Sequence, residues 1–487
     1  MVHLPQKFID STRAVFGERA GEVFAAIAAG EPITAIRSNP AKIDAAALRR
    51  RFASAGDNVP WCGDAFYLGE RPVFSLDPLL HAGAYYVQDP SAMFVGSVAA
   101  GIIKASEVPL KVLDLCAAPG GKSTSIAAAL RPSDLLVANE VIGSRASVLA
   151  ENMVKWGSVN TVVTNSDPKD FDRLSGWFDL IVTDVPCSGE GMFRKEPASI
   201  TEWSPDNVKL CAARQRRIVA DVWPALKEGG CLIYSTCTFN SHENDDNAEW
   251  ICREFGAEVI APDSASLQTS FATGQSARRA CSLRELVLRD GATSGAIETR
   301  CGLQFAPGIT RGEGQYVAVV RKTSTARLVA PKALKVPKRV VCGLVQGDME
   351  AVQAETSAGT LIKAYPSAIA ADIRFVEERL KAIRSGVAVA AVKGRDLIPQ
   401  ADLALSQAFC CGTSSQGEPH GSSDGPFPQF ELTQEQALQF LRCEVLRLPD
   451  APRGFITVTY EHLPLGFVKN LGTRANNLFP QAWRLRM

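Results

Sequence analysis

The chain has 487 residues, of which 46% are apolar, and its formal net charge is zero. That length accommodates about three domains, and the apolar share excludes an intrinsically disordered chain. Zero net charge argues against binding nucleic acid over a broad basic face. No segment approaches the ~20 uninterrupted apolar residues of a membrane span, and no secretory signal opens the chain. We therefore expect a folded cytoplasmic protein that makes no membrane contact.

The 13 cysteines are scattered along the chain and lack the paired spacing of a zinc site. Without an export signal, they are expected to be reduced thiols. Most are expected to be small buried apolar side chains. The sequence therefore predicts no metal site, and a cysteine with a chemical role has to be identified from its surroundings.

The first elements are helical. Apolar residues recur at near-helical spacing between Phe8 and Ile27 and predict one or two amphipathic helices. Asn39 and Pro40 mark a turn, as do residues 56–58. No catalytic signature is found here, and we assign residues 1–84 to an N-terminal α+β domain of the RNA-binding type.

From about residue 85, short apolar runs alternate with helical patterns. Strands are predicted at 111–115, 135–139, 161–164, 178–183 and 231–235, with a late strand at 315–321. Helices are predicted at 123–130, at 145–156 and up to residue 226, and Gly229 with Gly230 is predicted to end the last one. This alternation is typical of a doubly wound, mostly parallel sheet. We therefore expect an α/β, Rossmann-like domain over residues 85–322.

Residues 323–345 are predicted to be a basic linker exposed to solvent, and the alternative is a strap that contacts phosphates. Their basic residues include Arg327, Lys332, Lys335, Lys338 and Arg339. Residues 346–487 form a C-terminal α+β region. Removing everything after about residue 345 is expected to leave a folded catalytic core.

The segment most typical of a binding site lies between the first strand and the helix that follows, where doubly wound folds bind ligands. Its residues are Cys116, Ala117, Ala118, Pro119, Gly120, Gly121 and Lys122. The glycines let the backbone approach a ligand, and the free N–H groups of the next helix suit a carboxylate. The alternative is a phosphate-binding P-loop, which requires glycine where Cys116 stands.

Two acidic residues follow the next two strands. Glu140 ends the second strand, where an acidic side chain can accept hydrogen bonds from both ribose hydroxyls. Asp167 follows the third strand and could contact an adenine amino group. Either could be an ordinary surface carboxylate, but their repeated placement at the ends of strands favours ligand binding.

Two cysteines follow the fourth and fifth strands, Cys187 just after Asp184, and Cys237 between two threonines. Because parallel strands end at one edge of a sheet, both thiols can reach one crevice. A thiolate adding to carbon-6 of cytosine makes carbon-5 able to accept a methyl group, and a second residue helps to break the adduct. Asp184 could hold a protonated ring nitrogen or simply end its strand before proline.

These segments resemble the Nop/Sun family of RNA cytosine-5 methyltransferases, most closely its bacterial RsmF-like branch. The resemblance rests on residues 86–93, 115–122, 184–195 and 234–239, extended by Glu243 and Asn244. It covers about residues 30–322. Small departures are Ser123, where threonine is usual, and Asp245, where glutamate is usual.

The resemblance implies S-adenosylmethionine as cofactor, bound by residues 116–122, Glu140, Asp167 and Asp184. It implies that Cys237 attacks the base and that Cys187 assists product release. Residues 465–480 resemble the terminal PUA-like RNA-binding domain of the RsmF-like branch. That likeness implies RNA contact and small-subunit ribosomal RNA as substrate. The polar residues of that segment are Lys469, Arg474, Asn476 and Asn477. We expect a monomer.

Two other functions remain open. DNA cytosine methyltransferases attack with the cysteine of a Pro-Cys pair, which here is Cys187, and that would leave Cys237 without a role. A non-catalytic RNA-binding assembly factor is expected to have lost a cysteine or the cofactor loop, and this sequence keeps both.

Overall fold

The structure is a computed structural model that describes residues 3–260, 295–325, 338–345, 347–357, 359–407 and 427–486. Most of the predicted linker, including Arg327, Lys332 and Lys335, lies outside these residues. Across the described ranges the strands form four sheets. No helix in those ranges is both long and apolar enough to cross a membrane.

The N-terminal part contains two helices followed by a four-stranded antiparallel sheet of order β2-β3-β1-β4. Its elements are α1 (Gln6–Phe16), α2 (Ala20–Ala29), β1 (Thr34–Ser38), α3 (Ala45–Arg51), β2 (Ala55–Val59), β3 (Cys62–Leu68), α4 (Pro78–His81) and β4 (Tyr85–Val87). The predicted amphipathic helices are confirmed, because Phe8, Val23 and Ile27 are buried on α1 and α2.

The apolar face of α1 and α2 packs away from that sheet, against loops of the catalytic domain. The Phe8 ring lies 5.0 Å from the ring of Phe193, and the Phe16 ring lies 5.9 Å from the ring of Phe239. Helical periodicity predicts that a face is buried, but it does not say which surface covers it.

The catalytic part alternates strands with helices, as predicted. Its elements are α5 (Pro90–Ala105), β5 (Lys111–Asp114), α6 (Gly121–Ala129), β6 (Leu135–Asn139), α7 (Gly143–Trp156), β7 (Thr161–Thr164), β8 (Phe178–Asp184), α8 (Ala198–Glu202), α9 (Pro205–Val222), β9 (Leu226–Thr236), α10 (Asp245–Phe255), β10 (Ala257–Val259), β11 (Ile297–Glu298), β12 (Gly302–Phe305) and β13 (Gln315–Lys322).

The C-terminal part adds two small sheets. Its elements are β14 (Met349–Thr356), β15 (Gly359–Pro366), α11 (Ala370–Glu377), β16 (Ala382–Ser385), β17 (Val387–Lys393), β18 (Asp396–Pro399), α12 (Ala401–Leu405), β19 (Gln429–Glu431), α13 (Gln434–Leu441), β20 (Gly454–Tyr460), β21 (Leu463–Asn470) and β22 (Ala475–Asn477). The orders are β14-β15-β17-β18 and β19-β20-β21-β22.

The central sheet has the order β11-β12-β13-β9-β8-β5-β6-β7-β16, and β10 also pairs with β13. Strands β9, β8, β5, β6 and β7 run parallel, and the late strand β13 adds to β9 antiparallel, so the predicted doubly wound fold is confirmed. The chain leaves β5 toward β6 and later returns to β8 on the other side of β5. That reversal creates a crevice at the carboxyl ends of β5 and β8.

The predicted helix end at Gly229 and Gly230 is wrong. α9 ends at Val222, and the short turn that follows contains Pro224, which has no N–H to continue a helix. β9 begins earlier than predicted, and its register with β8 shifts near its start. Gly229 adopts φ +75°, and a Cβ on Gly230 would lie 3.0 Å from the Asp179 carbonyl oxygen, so the glycines shape an irregular strand.

The C-terminal region is not separate from the catalytic sheet, contrary to the expected division at residue 345. β16 pairs antiparallel with β7 and covers what would otherwise be an exposed sheet edge. α11 and the residues after it bury Ile373, Phe375, Val376 and Leu380 in the core that also contains Phe171 and Phe178. The Phe375 ring stacks on Trp177 at 5.6 Å.

Removing residues after 345 is therefore expected to unfold the catalytic domain rather than leave it intact. Each large apolar side chain that loses its burial costs about 1.5–3 kcal/mol, and a domain has only about 5–15 kcal/mol of stability. Thermal unfolding of chains ending at 345 and at 407 would measure this. We expect a cooperative transition only for the chain that retains α11 and β16. Equal midpoints for the 345 chain and the full-length protein would contradict the assignment.

Candidate active site

The predicted binding loop lies at the crevice between β5 and β8. Gly120 adopts φ +115°, which a side chain would disfavour, and α6 begins at Gly121. A Cβ on Gly121 would lie 3.2 Å from Gln88 and 3.3 Å from Tyr86, so the residue 86–93 segment packs against this loop. Arg37 of β1 donates to the Gly121 carbonyl oxygen at 3.1 Å. The N-terminal domain therefore supports the start of α6.

The rest of the loop is held by hydrogen bonds of its backbone groups. Arg145 donates to the Ala118 carbonyl oxygen at 2.8 Å, and Asn152 donates to the Pro119 carbonyl oxygen at 2.7 Å. The Ala117 N–H donates to the Asn139 carbonyl oxygen at 2.8 Å. Burial raises the pKa of the Cys116 thiol, which therefore remains protonated. The loop is a fixed structure whose amides, rather than its cysteine, suit a ligand.

Glu140 lies where the sequence placed it, at the carboxyl end of β6. Its side chain is buried and accepts from the Ile142 N–H at 3.0 Å, and the Arg145 guanidinium is 3.4 Å away. Asn165 donates to the Glu140 carbonyl oxygen at 2.8 Å. Glu140 is therefore an oriented acceptor, not an ordinary surface carboxylate.

Asp167 has a structural role that its position in the sequence did not reveal. It is the N-cap of the 3-10 turn Pro168–Leu174 and forms a capping box with Asp170. Asn139 donates to the Ser166 carbonyl oxygen at 3.0 Å and to the Leu115 carbonyl oxygen at 3.2 Å, so it joins this turn to the loop after β5.

Asp114, at the end of β5, is fully buried, and burial raises its pKa to about 6. Its Oδ2 accepts from Ser123 at 2.6 Å, whereas Oδ1 has no hydrogen-bond partner among the described residues. Its charged neighbours are Lys122, Asp184 and Glu140. The crevice thus combines the uncapped amides at the start of α6 with one unsatisfied carboxyl oxygen and the Glu140 carboxylate, which fits a ligand that carries a carboxylate, an ammonium and ribose hydroxyls.

The two cysteines converge, as the sequence predicted. The Cys187 Sγ lies 3.2 Å from the Cys237 Sγ, and both side chains are half-buried. The hydrogen bond with Cys237 and burial raise the pKa of the Cys187 thiol well above its usual range. Cys187 is therefore expected to be a protonated thiol at neutral pH.

Asp184 ends β8, just before the loop that carries Cys187, and is held by three donors. Lys122 donates to its Oδ2 at 2.7 Å, and Ser235 and Gln315 each donate to its Oδ1 at 3.0 Å. Burial disfavours the Lys122 ammonium, but the negative charge of Asp184 outweighs this and raises the pKa of Lys122.

Two buried glutamates next to the cysteines were missed by reasoning from sequence. Glu190 and Glu243 accept hydrogen bonds from the two loops that carry Cys187 and Cys237. The only sequence signal was their position inside segments already matched for other residues. Donors for a buried carboxylate come from distant parts of the chain, which spacing does not reveal.

Known families match three parts of the chain. Residues 4–90 match the N-terminal domain of 16S rRNA methyltransferase RsmF, residues 103–320 match 16S rRNA methyltransferase RsmB/F, and residues 427–485 match the methyltransferase RsmF PUA domain. The ribosomal RNA small subunit methyltransferase F of Pectobacterium carotovorum is 30% identical and covers 98% of this chain and 95% of its own length. The chain belongs to this family.

Other relatives agree with that assignment. The ribosomal RNA small subunit methyltransferase F of Cronobacter sakazakii is 29% identical over 99% of this chain and 96% of its own. The solved structure of a methyltransferase homolog protein from Pyrococcus horikoshii is 24% identical, with a TM-score of 0.50, over 66% of this chain and 96% of that one. It shares the fold. The cofactor of this family of ribosomal RNA methyltransferases is S-adenosylmethionine.

We expect Glu140→Ala to weaken the binding of S-adenosylmethionine about 10- to 100-fold, because a hydrogen bond to a charged acceptor contributes roughly 1.5–3 kcal/mol. Isothermal titration calorimetry measures this. The control is Glu151→Ala, which removes only an ion pair with Lys155 on α7. Unchanged affinity in the Glu140 variant, or an equal loss in the control, would remove Glu140 from the cofactor site.

Proposed function

We propose that the protein methylates carbon-5 of a cytosine in small-subunit ribosomal RNA, with Cys237 as nucleophile and Cys187 as the residue that assists release. The observation that carries the proposal is the 3.2 Å separation of the two Sγ atoms, in loops that leave the sheet just after the strand end where Asp184 is bound by Lys122. A single thiol would suffice for addition alone. Two adjacent thiols suit a reaction in which addition and elimination are separate steps.

The cofactor would be held by residues 116–122, Glu140, Asp167 and Asp184. The fit is supported by the free amides at the start of α6 and by the unsatisfied Asp114 carboxyl oxygen. When bound, S-adenosylmethionine supplies an electrophilic methyl group. The activated carbon-5 needs this methyl group for the reaction to continue.

In the proposed first step, the Cys237 thiolate forms a bond to carbon-6, and the ring electrons move toward carbon-5. Lys122 supplies the positive charge of this part of the site through its ion pair with Asp184. The proton of the Cys237 thiol would pass to the ring nitrogen, and Asp184 would hold that protonated nitrogen, which requires it to exchange one of its present donors for the base. Two of those donors fix the carboxylate at Oδ1, so Oδ2, now bound to Lys122, is the atom that becomes available.

In the second step, the methylated carbon-5 loses its proton, the sulfur–carbon-6 bond breaks, and the Cys237 thiolate leaves. Cys187 is the closest thiol to the leaving sulfur, and its pKa is raised by that contact and by burial. In the proposed release, the Cys187 thiol gives its proton to the departing Cys237 sulfur, and the Cys187 thiolate so formed takes the proton from carbon-5.

RNA binding would involve the PUA-like part, which is built on β20, β21 and β22. It packs on the N-terminal domain through Ala82 and through the ion pair between Arg51 and Glu461. Arg474 is exposed at the turn after β21, and Lys469 is half-buried with its ammonium 5.1 Å from the Phe455 ring centroid. These two cations are the proposed phosphate contacts.

Asn477, one of the polar residues of the segment that resembles an RNA-binding domain, already has hydrogen-bond partners within the protein. The Asn477 amide donates to the Phe440 and Glu444 carbonyl oxygens at 2.8 and 3.1 Å, and its oxygen accepts from the Phe479 N–H at 2.8 Å. An amide with these three bonds has little capacity left for RNA. Asn477 is a structural residue of the PUA-like part.

Three cysteine variants test the catalytic roles. Cys237→Ala is expected to abolish methylation and to form no covalent RNA adduct, because it removes the attacking sulfur. Cys187→Ala is expected to accumulate a denaturation-resistant protein–RNA complex, because it attacks and then stalls before elimination. The double variant should show none. A denaturing gel with target RNA and cofactor gives the answer. Loss of the adduct in Cys187→Ala, with adduct retained in Cys237→Ala, would instead support attack by Cys187, as in DNA cytosine methyltransferases.

Removing the two proposed phosphate contacts tests RNA capture. Lys469→Ala and Arg474→Ala should each weaken RNA binding and lower the slope of log affinity against log salt by about one. Asn477→Ala should instead lower the unfolding midpoint, and Arg253→Ala on α10 serves as a surface control. Fluorescence anisotropy at several salt concentrations measures the slopes. Slopes equal to that of the unaltered protein would refute phosphate contact at these residues.

A further inference from the structure

The loops that follow β8 and β9 are tied together by buried carboxylates. We call residues 185–194 the Cys187 loop and residues 237–244 the Cys237 loop. Parallel pairing of β8 and β9 ends with Asp184 opposite Ser235, so both loops start at one level of the sheet. Beyond that point no strand pairing holds them, and their relative position depends on the contacts between them.

Glu190 of the Cys187 loop reaches across to the Cys237 loop. Its Oε2 accepts from the Thr238 hydroxyl at 2.6 Å, the Phe239 N–H at 2.6 Å and the Asn240 N–H at 3.0 Å. Its Oε1 accepts from the Trp203 indole at 2.9 Å and the Asn240 amide at 3.1 Å. Five donors converge on this one side chain, and four of them belong to Thr238, Phe239 and Asn240 of the Cys237 loop.

Glu243 of the Cys237 loop reaches in the opposite direction. Its Oε2 accepts from the Ser188 N–H at 3.0 Å and from the Gln215 amide at 2.7 Å. Its Oε1 accepts from the Asn240 amide at 2.9 Å. The residue next to each cysteine, Ser188 or Thr238, is therefore held by a carboxylate of the other loop.

The backbone closes the same arrangement. The Gly191 N–H donates to the Cys237 carbonyl oxygen at 2.7 Å. A Cβ at position 191 would lie 2.5 Å from that oxygen, closer than a side chain can approach. Glycine at this position of the Cys187 loop is therefore required for the close contact of the two loops.

Neither carboxylate is balanced by an ion pair in the part of the chain described here, and Glu190 and Glu243 are 1% and 0% exposed. A buried charge is costly unless hydrogen bonds replace its water. Two such buried carboxylates lie in this one contact between the loops that carry the thiols. Apolar side chains in their place would leave these buried donors without acceptors.

We propose that Glu190 and Glu243 are positioning residues that form a reciprocal clamp and fix the distance between the Cys187 and Cys237 thiols. The hydrogen bonds between the two loops define the clamp, and only its effect on catalysis rests on the proposed function. Glu190 holds the loop of the nucleophile, and Glu243 holds the loop of the releasing residue. Losing Glu190 should slow addition, and losing Glu243 should slow release.

Glutamine is the informative substitution, because it keeps the shape and removes the charge. Every partner of both carboxylates is a donor, so the new NH2 group of Glu190→Gln or Glu243→Gln meets a donor in either orientation. The clamp should therefore loosen without a cavity.

The first measurement is the rate at which the two thiols form a disulfide when the full-length protein is treated with diamide. The thiols lose two protons and two electrons, which the N=N bond of diamide takes up. Mass spectrometry of the linked Cys187–Cys237 peptide gives the rate, and Cys187→Ala gives the background. A displacement of about 1 Å can cost 10²-fold in an oriented reaction, and we expect each glutamine variant to react roughly 10- to 100-fold more slowly.

Asp134→Asn is the matched control. Asp134 is a fully buried carboxylate that accepts from the Leu110 and Arg131 backbone N–H groups at 2.7 Å, at the opposite end of the strands, and unlike the two glutamates it also pairs with the Arg131 guanidinium at 2.8 Å. It should lower the unfolding midpoint and leave the disulfide rate unchanged. An equal slowing in this control, or unchanged rates in both glutamine variants, would overturn the clamp. If Glu190→Gln fails to fold, Thr238→Val removes one clamp contact at equal volume, and an unchanged rate there would overturn it as well.

The second measurement separates the clamp from the assignment of the cysteines. With RNA and cofactor, Glu190→Gln should form adduct about tenfold more slowly, and Glu243→Gln should accumulate adduct, because the positioning of each thiol sets the rate of its own step. Both should bind S-adenosylmethionine as the unaltered protein does. Slowed disulfide formation with these two effects exchanged would sustain the clamp and overturn the roles given to Cys237 and Cys187.

Discussion

The parallel pairing of β8 with β9 is the constraint on which the rest of the site depends. It ends both strands at one level, beside β5, where the chain reverses direction across the sheet. The groups at that edge leave the sheet together: Asp114, Asp184 and the loops of both cysteines. Backbone hydrogen bonds between parallel strands fix relative height, and only the loops remain to be adjusted. Small shifts of these loops therefore decide the distance between the Cys187 and Cys237 Sγ atoms.

Burial sets the electrostatics of this edge. The carboxylates and thiols lie at the end of a core whose low polarity disfavours charge. Burial raises the pKa of Asp114, and the hydrogen bond with Cys237 together with burial raises the pKa of the Cys187 thiol. Lys122 supplies the positive charge that faces Asp184. A protein with zero net charge can therefore maintain a strongly charged crevice, because the charges balance within a few ångströms rather than across the surface.

The cofactor edge and the C-terminal region share one set of contacts. The Asn165 N–H donates to the Lys381 carbonyl oxygen at 2.9 Å, just before β16 joins the sheet. The Asn165 side chain donates to the Glu140 carbonyl oxygen at 2.8 Å. Lys381 returns a hydrogen bond from its N–H to Ser166 at 3.0 Å. The segment that leads to the PUA-like part is thus continuous with the strands that carry the cofactor loop, which is why the two regions do not divide at residue 345.

The sequence by itself determined the elements of the central sheet and the identity of its chemical groups. Strands at 135–139 and 161–164 were predicted with the bounds that β6 and β7 have, because buried parallel strands are short apolar runs between turns. The convergence of Cys187 and Cys237 followed from the same rule. Tertiary structure alone decided that α1 and α2 cover the cysteine loops, that β16 completes the sheet, and that Glu190 and Glu243 join the loops. Helical periodicity indicates that a face is buried, and the physics of burial requires donors for a buried carboxylate. In both cases the partners are residues far away in the chain, and only folding brings them together.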